Sequence, residues 1–365
     1  MMTHTLPVYS IGGANWALTQ ALYHTQAHLG QPALNLIWPL QPYVCIGRFQ
    51  DLDLEVDVAE CRRRGLPIVR REVGGGAVYL DGRQVFYQLV LPLDWLGPSY
   101  SYRWLFRLGL DAVALALKRL GVNAGIRGAN DVVVGQRKIS GNGAGEVGQA
   151  AVVVGNILMD FDYETMAAVL RVPDEKFRDK AYRSMKDNLT TLAELEPGIG
   201  NQEVAAVLVQ AFVEALPPEF QARPTPFLPV EIATSWPAVA RRLTDEAWLH
   251  EVQLRREQRR LRIRQGLELR LHTWKAPGGL LRCQCAIESS QDDGDTGMPH
   301  LSWLALSGDF FMHPPQALAE LEEALTGVSL ASVKEVAARF LARPGIAMPG
   351  VGPEDIERVV CGRSS

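Results

Sequence analysis

Three consecutive glycines, Gly74, Gly75 and Gly76, stand between two apolar runs in the segment Arg70-Arg71-Glu72-Val73-Gly74-Gly75-Gly76-Ala77-Val78-Tyr79. Glycine loses more conformational freedom on folding than any other residue, so three in a row are costly unless the backbone turns through positive φ or approaches something closely. Their amides could grip a carboxylate or a phosphate, and Arg70 and Arg71 add permanent positive charge. The plain alternative is a flexible hairpin turn with surface arginines. The segment is not a Walker loop, because no Gly-Lys-Ser/Thr follows, and it is not a GxGxxG fingerprint.

Around this loop the chain alternates short apolar runs with amphipathic stretches. Asn15 is placed to cap a helix through Trp16, Ala21 and Leu22. The runs ALNLIWPL and YVCIGRF read as paired strands joined at Gln41-Pro42. Residues 55–65 read as a polar helix ended by Gly65, with Pro67 beyond. The glycine loop is flanked by strands, with a turn at Asp81-Gly82. Residues 101–120 read as a long amphipathic helix stopped by Gly121. NDVVVGQRKISGNGAG and AAVVVGNILMDF read as a hairpin of two buried strands, and Tyr163 to about Ala215 as mostly helical. Prolines 217, 218, 224, 226, 229 and 237 cluster where a connector out of the first domain is expected. Six arginines between Arg255 and Arg264 follow, and from about Gln265 the pattern restarts with three antiparallel strands and helices after Pro314-Pro315 and from Ser329. The division expected is 1–250, a linker at 251–264, and a small domain at 265–365. At 365 residues the chain is long enough for two domains.

With 37 basic and 41 acidic side chains the net charge is −4, so no global field draws the protein to nucleic acid or anionic lipid. No apolar run approaches the roughly 18 residues that span a bilayer, and MMTHTLPVYSIGG lacks the pattern of a secretory signal. The five cysteines, Cys45, Cys61, Cys283, Cys285 and Cys361, are scattered with no CxxC pair, which disfavours a disulfide framework or a four-cysteine zinc site. A soluble cytoplasmic setting, with no nucleic acid and no membrane as partner, is the expectation.

The second chemical segment is Asn130-Asp131-Val132-Val133-Val134-Gly135-Gln136-Arg137-Lys138-Ile139-Ser140-Gly141. Lys138 stands at a strand mouth, where a lysine can bridge a carboxylate and an α-phosphate and neutralise charge in adenylyl transfer. The alternative is a solvated strand-end lysine. Asp131 beside Asn130 could hold a metal or the adenine ribose, or be a turn or cap before the strand.

REVGGGAVYLD, NDVVVGQRKISG, VVVGNILMDFD and PDEKFRDKAYRSMKDNLTTL occur in the order and at about the spacing found in lipoate-protein ligases. The chain resembles that family strongly over residues 8–195, and residues 265–365, notably LSGDFFMHPPQALAELEEALTGV, resemble the small accessory domain of its bidomain members. The resemblance implies an α+β fold of the class II aminoacyl-tRNA synthetase and biotin-ligase type, a mainly antiparallel sheet packed by helices, with a small α+β C-terminal domain. It implies ATP, Mg²⁺ and lipoate, and a lipoyl-carrier protein as partner, either an acceptor domain or a protein like the H protein of glycine cleavage. Lys138 matches the family's active-site lysine. Arg70, Gly74, Gly75, Gly76, Ala77, Val78 and Tyr79 match the loop that lines the lipoyl tunnel and touches ATP, with Arg71 near the phosphates. Asn130 and Asp131 match the adenylate and Mg²⁺ side, Gly155 the glycine flanking the acyl chain, and Arg183, Ser184 and Met185 the adenylate-binding loop. The resemblance also implies that residues 1–250 alone keep some transfer from preformed lipoyl-AMP but lose efficient activation.

Three positions depart from the family's pattern. Val73 replaces a common serine, Leu80 a common histidine, and Gly82-Arg83 stand where an asparagine often follows the aspartate. The first two remove polar groups near the pocket and bear on the acyl substrate and carrier rather than on ATP. An octanoyltransferase of the same superfamily would need a cysteine nucleophile, and none lies in the glycine loop or between Lys138 and Met159. The arginine- and glycine-rich loop of biotin ligases is absent, and a non-catalytic lipoyl-AMP or carrier-binding protein would have less use for Lys138. His24 and His28 have the i, i+4 spacing of a metal pair but no third ligand, so a polar helix face is expected. The arginines at 255–264 read as a solvated helix or an interdomain contact, and Cys283 and Cys285 as packing residues.

Overall fold

The structure is a computed structural model describing residues 3–97, 100–128, 130–171, 186–260, 268–288 and 299–362. The chain forms two compact units, the first of Met1–Ile46, Asp53–Val73 and Ala77–Trp248, the second of Gly47–Leu52, Gly74–Gly76 and Leu249–Ser365.

In the first unit, β1 (His4–Ala14), β2 (Ala33–Pro39), β3 (Tyr43–Ile46), β4 (Ile68–Arg70), β5 (Val78–Leu80), β6 (Gln84–Pro92), β7 (Gly125–Arg127), β8 (Asp131–Val134), β9 (Arg137–Val147), β10 (Ala150–Leu158) and β11 (Phe220–Pro224) build two sheets. The larger has the order β11-β1-β2-β6-β10-β9-β8-β7 and the smaller the order β4-β3-β5. From β2 to β7 the large sheet is antiparallel throughout; only β11, β1 and β2 run parallel. All nine residues of β6 are buried, as a central strand covered on both faces must be, which is why QVFYQLVLP shows no polar alternation.

The helix Trp16–His28 starts where the Asn15 carboxamide accepts the Leu18 N–H at 2.8 Å. It packs with β2, β3, β6 and the helix Val230–Leu243 through Leu22, Ile37, Tyr43, Phe86, Ile232 and Leu243. Each such side chain, fully buried, contributes about 1.5–3 kcal/mol over its exposed state. The helix Tyr102–Arg119 begins at Ser101, whose hydroxyl accepts the Trp104 N–H, and lays Gly109 against the Tyr87 ring and Val153. Gly65 ends Val58–Arg64 in the left-handed region, φ 65°.

Three readings of the sequence are corrected. β2 and β3 are not partners: β2 lies between β1 and β6, and β3 between β4 and β5. Pro39 and Pro42 punctuate the join, and the chain changes sheets there. The segment Asp131–Val147 is two strands rather than one, turned at Gly135 (φ 60°). The proline-rich stretch is no bare connector, since Phe220–Pro224 adds a strand beside β1 and Val230–Leu243 is a helix on the core.

In the second unit β12 (Glu268–Ala276), β13 (Gly279–Glu288) and β14 (His300–Gly308) form an antiparallel sheet. Cys283, Cys285, Leu304, Leu306 and Phe310 pack there with Leu318, Leu321, Phe340, Ile356 and Val359 from the helices Ala317–Leu325, Val333–Leu341 and Pro353–Cys361. Phe49 stacks on Phe310 at 5.1 Å and its carbonyl accepts the Gly308 N–H. Gly75 (φ 93°) donates its N–H to the Phe310 carbonyl at 3.2 Å, and a Cβ on residue 74 would stand 2.5 Å from that same oxygen. Close approach to Phe310 is thus one concrete reason for the glycine triplet. Among the described residues no helix is long and apolar enough to cross a membrane.

Candidate active site

The strand β9 carries Gly141, Gly143 and Gly145 at alternate positions, so one of its faces is bare backbone for that length. Lys138 stands three residues before Gly141, which in a regular strand would put it on the other face. The β8–β9 ladder is bulged: Val132 pairs with Ser140 and Val133 with Lys138, leaving Ile139 as the extra residue. The bulge brings Lys138 onto the glycine face, and its Cε and Nζ lie 2.9 Å from where a Cβ on residue 141 would stand. Any side chain at 141 would displace the lysine. The Lys138 ammonium is 2.6 Å from Asp131 Oδ1, and Arg127 is 3.8 Å from Asp131 Oδ2. Both members of the Lys138–Asp131 pair are about a quarter to a third exposed, so the pair is reachable from solvent.

The opposite face of β9 is a closed polar network. Asn142 accepts the Tyr87 hydroxyl at 2.6 Å and donates to the Asn130 carbonyl, which also accepts the Asn142 N–H, both at 3.0 Å. Gly155, paired with Asn142 in β10, has no room for a side chain: a Cβ there would overlap Asn142 Oδ1 and stand 2.7 Å from the Tyr87 ring. Burial raises the Tyr87 phenol far above its usual range, so it stays a donor. On the glycine face Asn156 accepts the Gly141 N–H and donates to Gln84, which donates to the Tyr79 carbonyl. Sequence reading missed Asn142, Asn156, Tyr87 and Gln84. Asn142 lay one residue beyond the Lys138 motif, and an asparagine flanked by glycines within a buried strand was the available signal.

At the far end of the bare strip, a Cβ on residue 145 would meet Val73 methyls at 3.7 Å and the Tyr102 hydroxyl at 3.6 Å. Val73 is 1% exposed, and Leu80 packs in the core with Tyr43 and Phe86, so both departures put apolar side chains in buried positions. Val78 and Tyr79 lie in β5, with Ala77 just before it, and burial pushes the Tyr79 phenol up to about 12.

Arg70 is wholly buried. Its Nε donates to the Trp248 carbonyl and the Trp248 indole N–H donates back to the Arg70 carbonyl, both at 2.8 Å. Arg71 reaches Cys45 Sγ at 3.5 Å, and its N–H bonds to the Ile46 carbonyl. Gly74, Gly75 and Gly76 fall in the second unit with Phe310, while Lys138, Asn130, Asp131 and Gly155 gather in the first. Arg183, Ser184 and Met185 lie outside the described residues.

The histidine pair is not a polar surface face. His24 is fully buried and its pKa drops to about 4, chiefly through burial. Its Nδ1 lies 2.9 Å from the Gln20 carbonyl and its Nε2 accepts the Glu72 N–H at 3.1 Å, which fixes the Nδ1–H tautomer. His28 Nε2 is 2.8 Å from Glu72 Oε2, and Arg242 donates to Oε1 at 2.9 Å. Burial alone would raise Glu72, but the His28 bond, the charge around it and Arg242 hold the carboxyl well below the usual range.

Among the described residues no three histidine, cysteine or acidic side chains converge as a metal cage. A Mg²⁺ that keeps water and phosphate oxygens asks for only one or two carboxylates, and the carboxylate beside Lys138 that would meet this need is Asp131. As for nucleophiles, Cys45, Cys61, Cys283 and Cys285 are buried, and burial pushes Cys61 up to about 11. Cys361 is half-exposed, at the end of a helix of the second unit.

Lys138 thus lies across bare backbone at one end of β9, with the Asp131 carboxylate beside it. The model of the lipoyl protein ligase A/B catalytic domain matches residues 12–213, more than half of the chain, and the chain belongs to that family of lipoate-protein ligase enzymes. It is 28% identical over 215 residues to lipoate-protein ligase A subunit 1 of Thermoplasma acidophilum, covering 56% of this chain and 80% of that one. It is 30% identical over 183 residues to lipoate-protein ligase A of Blochmanniella pennsylvanica, of which it spans about half, 52%, from 49% of its own length. It is also 29% identical over 210 residues to the octanoyltransferase LipM of Kyrpidia tusciae, covering 51% of this chain and 76% of that one. Among solved structures, the bipartite Thermoplasma acidophilum lipoate protein ligase, described with its E2 lipoyl domain, superposes with TM-score 0.59 at 24% identity, over 68% of this chain and 96% of that one. A lipoate-protein ligase A bound with ATP gives 0.56 at 21%, over 68% and 99%. P. falciparum LipL1 in complex with lipoate gives 0.60 at 15%, over 94% and 95%. These likenesses establish the fold expected from the sequence.

Proposed function

We propose that the chain is an ATP-dependent lipoate-protein ligase that also accepts octanoate, using Lys138 as its reacting cation. The carrying observation is the Lys138 ammonium on the bare glycine face of β9, 2.6 Å from Asp131. In the first step a lipoate oxygen attacks the α-phosphorus of ATP, the bond to the β-phosphate breaks, and pyrophosphate leaves. Lys138 lies where it can hold both the carboxylate and the phosphoryl oxygens, easing their repulsion and the charge of the transition state. Asp131 orients that ammonium, and Mg²⁺ held there would neutralise phosphate charge. In the second step the ε-amine of an acceptor lysine attacks the acyl carbonyl, the bond to AMP breaks, and AMP leaves with the proton released to solvent. The strip Gly141, Gly143 and Gly145 offers a floor for an acyl chain, ending at Val73 and Tyr102.

The ATP-bound and lipoate-bound relatives support these substrates, and the relative described with its E2 lipoyl domain supports a lipoyl-carrier protein as acceptor. On the family resemblance we take residues 1–250 as the catalytic part and 265–365 as the accessory part, joined at 251–264. A transferase reading draws on the octanoyltransferase relative. It needs a reactive thiol, and four of the five cysteines are buried while Cys361 belongs to the second unit. The deciding measurement is ATP–pyrophosphate exchange dependent on lipoate or octanoate. Exchange supports the ligase, whereas acyl transfer from a carrier thioester without ATP would replace it.

A further inference from the structure

Glu72 lies between Arg71, which reaches inward to Cys45, and Val73, whose methyls face Gly145. It is held from three sides. Its backbone N–H is accepted by His24, its Oε2 faces His28 at 2.8 Å, and its Oε1 accepts Arg242 at 2.9 Å. The Arg242 guanidinium also lies 5.7 Å over the Trp248 ring, and Trp248 exchanges hydrogen bonds with Arg70 on the other side of Arg71. Residues 70 and 72 are therefore both tied to the segment Arg242–Trp248, and Arg71 is gripped between them. A short, solvent-facing loop could satisfy these groups with water. Burying a carboxylate instead is costly unless it is paired, and Glu72 accepts Arg242 and lies against His28 Nε2, which Arg242 also approaches at 3.0 Å.

We propose that Glu72 is a positioning residue: its anchorage by His24, His28 and Arg242 sets Arg71 and seats Val73 against Gly145, and so shapes the acyl end of the site. The role rests on the ligase reading above. No reacting atom touches Glu72; it acts through its two chain neighbours. The charged and titratable groups around the carboxylate are Tyr23, His24 and His28 of one helix, Arg242 of another, and the adjacent Arg71. The two histidines stand at i, i+4 on the helix Trp16–His28 and both meet Glu72, and among the described residues no three histidine, cysteine or acidic side chains converge as a metal cage.

The test uses full-length protein with Glu72→Gln, Arg242→Lys, Arg242→Met and His28→Gln, so that one partner is removed at a time should Glu72→Gln fail to fold. Amide hydrogen exchange at residues 71–73 and ATP–pyrophosphate exchange with octanoate are measured on each. Glu72→Gln and Arg242→Met are expected to speed amide exchange roughly tenfold, the effect of losing one charge-assisted hydrogen bond. They are expected to raise KM for the acid by a similar factor with kcat within about twofold, and Arg242→Lys is expected to restore most of both. Unchanged exchange at 71–73, or a fall in kcat at constant KM, overturns the role, as does an Arg242→Lys no better than Arg242→Met. A wild-type protein inert in pyrophosphate exchange overturns the ligase reading and this role with it, even where amide exchange still marks Glu72 as an anchor.

Discussion

The Lys138 ammonium lies 2.6 Å from Asp131 across the β8–β9 ladder, and the bulge at Ile139 is what turns it onto the face of Gly141. The pair couples a cation at the strand mouth to a carboxylate on the neighbouring strand. Because both groups are partly exposed, the pair adds only about 0–1 kcal/mol to stability. Its value is the placement of charge.

Lys138→Ala is therefore expected to abolish adenylate formation, a loss of at least about a hundredfold in kcat, while the melting temperature stays close to wild type. Lipoate-dependent pyrophosphate exchange and a thermal melt check it together. Near-normal exchange in the variant removes Lys138 from its role.

Gly155→Ala is expected to destabilise the first unit by about 1–3 kcal/mol, because the added methyl overlaps Asn142 and Tyr87 inside a closed hydrogen-bond network. Urea unfolding measures this directly. A shift in midpoint below a few tenths of a molar unit would show that the network yields to a methyl, contrary to the packing described.

Acid should weaken the protein through His24. Its folded pKa of about 4 lies below the unfolded value of about 6.5, so between these pH values the unfolded chain binds the extra proton. Stability accordingly falls as pH drops from about 6.5 to 4, by about 3 kcal/mol from this group. His313, also lowered to about 4 by burial, pushes the same way. Glu72, held low, adds a further loss once pH falls below the ordinary carboxylate range. Melting temperature against pH should be flatter across 6.5 to 4 in His24→Gln, and an equal slope in both proteins counts against the assignment.

A chain ended at Trp248 is expected to be poorly stable, since Phe49 and Gly75 fold with Phe310 and Gly308 of the second unit. Exposing Phe49, now 4% exposed, removes about 2–3 kcal/mol of burial from the strap Gly47–Leu52. Dye binding and proteolysis at residues 47–52 and 74–76 report it. A fragment as resistant as the full chain refutes the expectation.

Thiol chemistry offers a separate check. Alkylation of the native protein is expected to be confined to Cys361, and incubation with an octanoyl thioester donor should leave no acyl group on any cysteine by intact mass. An acylated Cys45 or Cys61 would move the reaction to the transferase class.

Local pattern alone determined much of this protein. Asn15 and Gly65 mark helix ends, β6 reads as a buried run, β12 to β14 alternate visibly, and the Lys138 motif and the glycine triplet stand out by composition. These signals depend on neighbours within a turn or two, which sequence carries directly. Tertiary structure alone decided that β2 and β3 part into different sheets, that a bulge turns Lys138 onto the glycine face, and that His24 and His28 both close on Glu72. It also decided that Gly74 is needed by Phe310, some 230 residues away. Such pairings are chosen by which buried polar groups and side-chain volumes can be satisfied at once, a condition that distant segments meet jointly and that no single stretch of sequence contains.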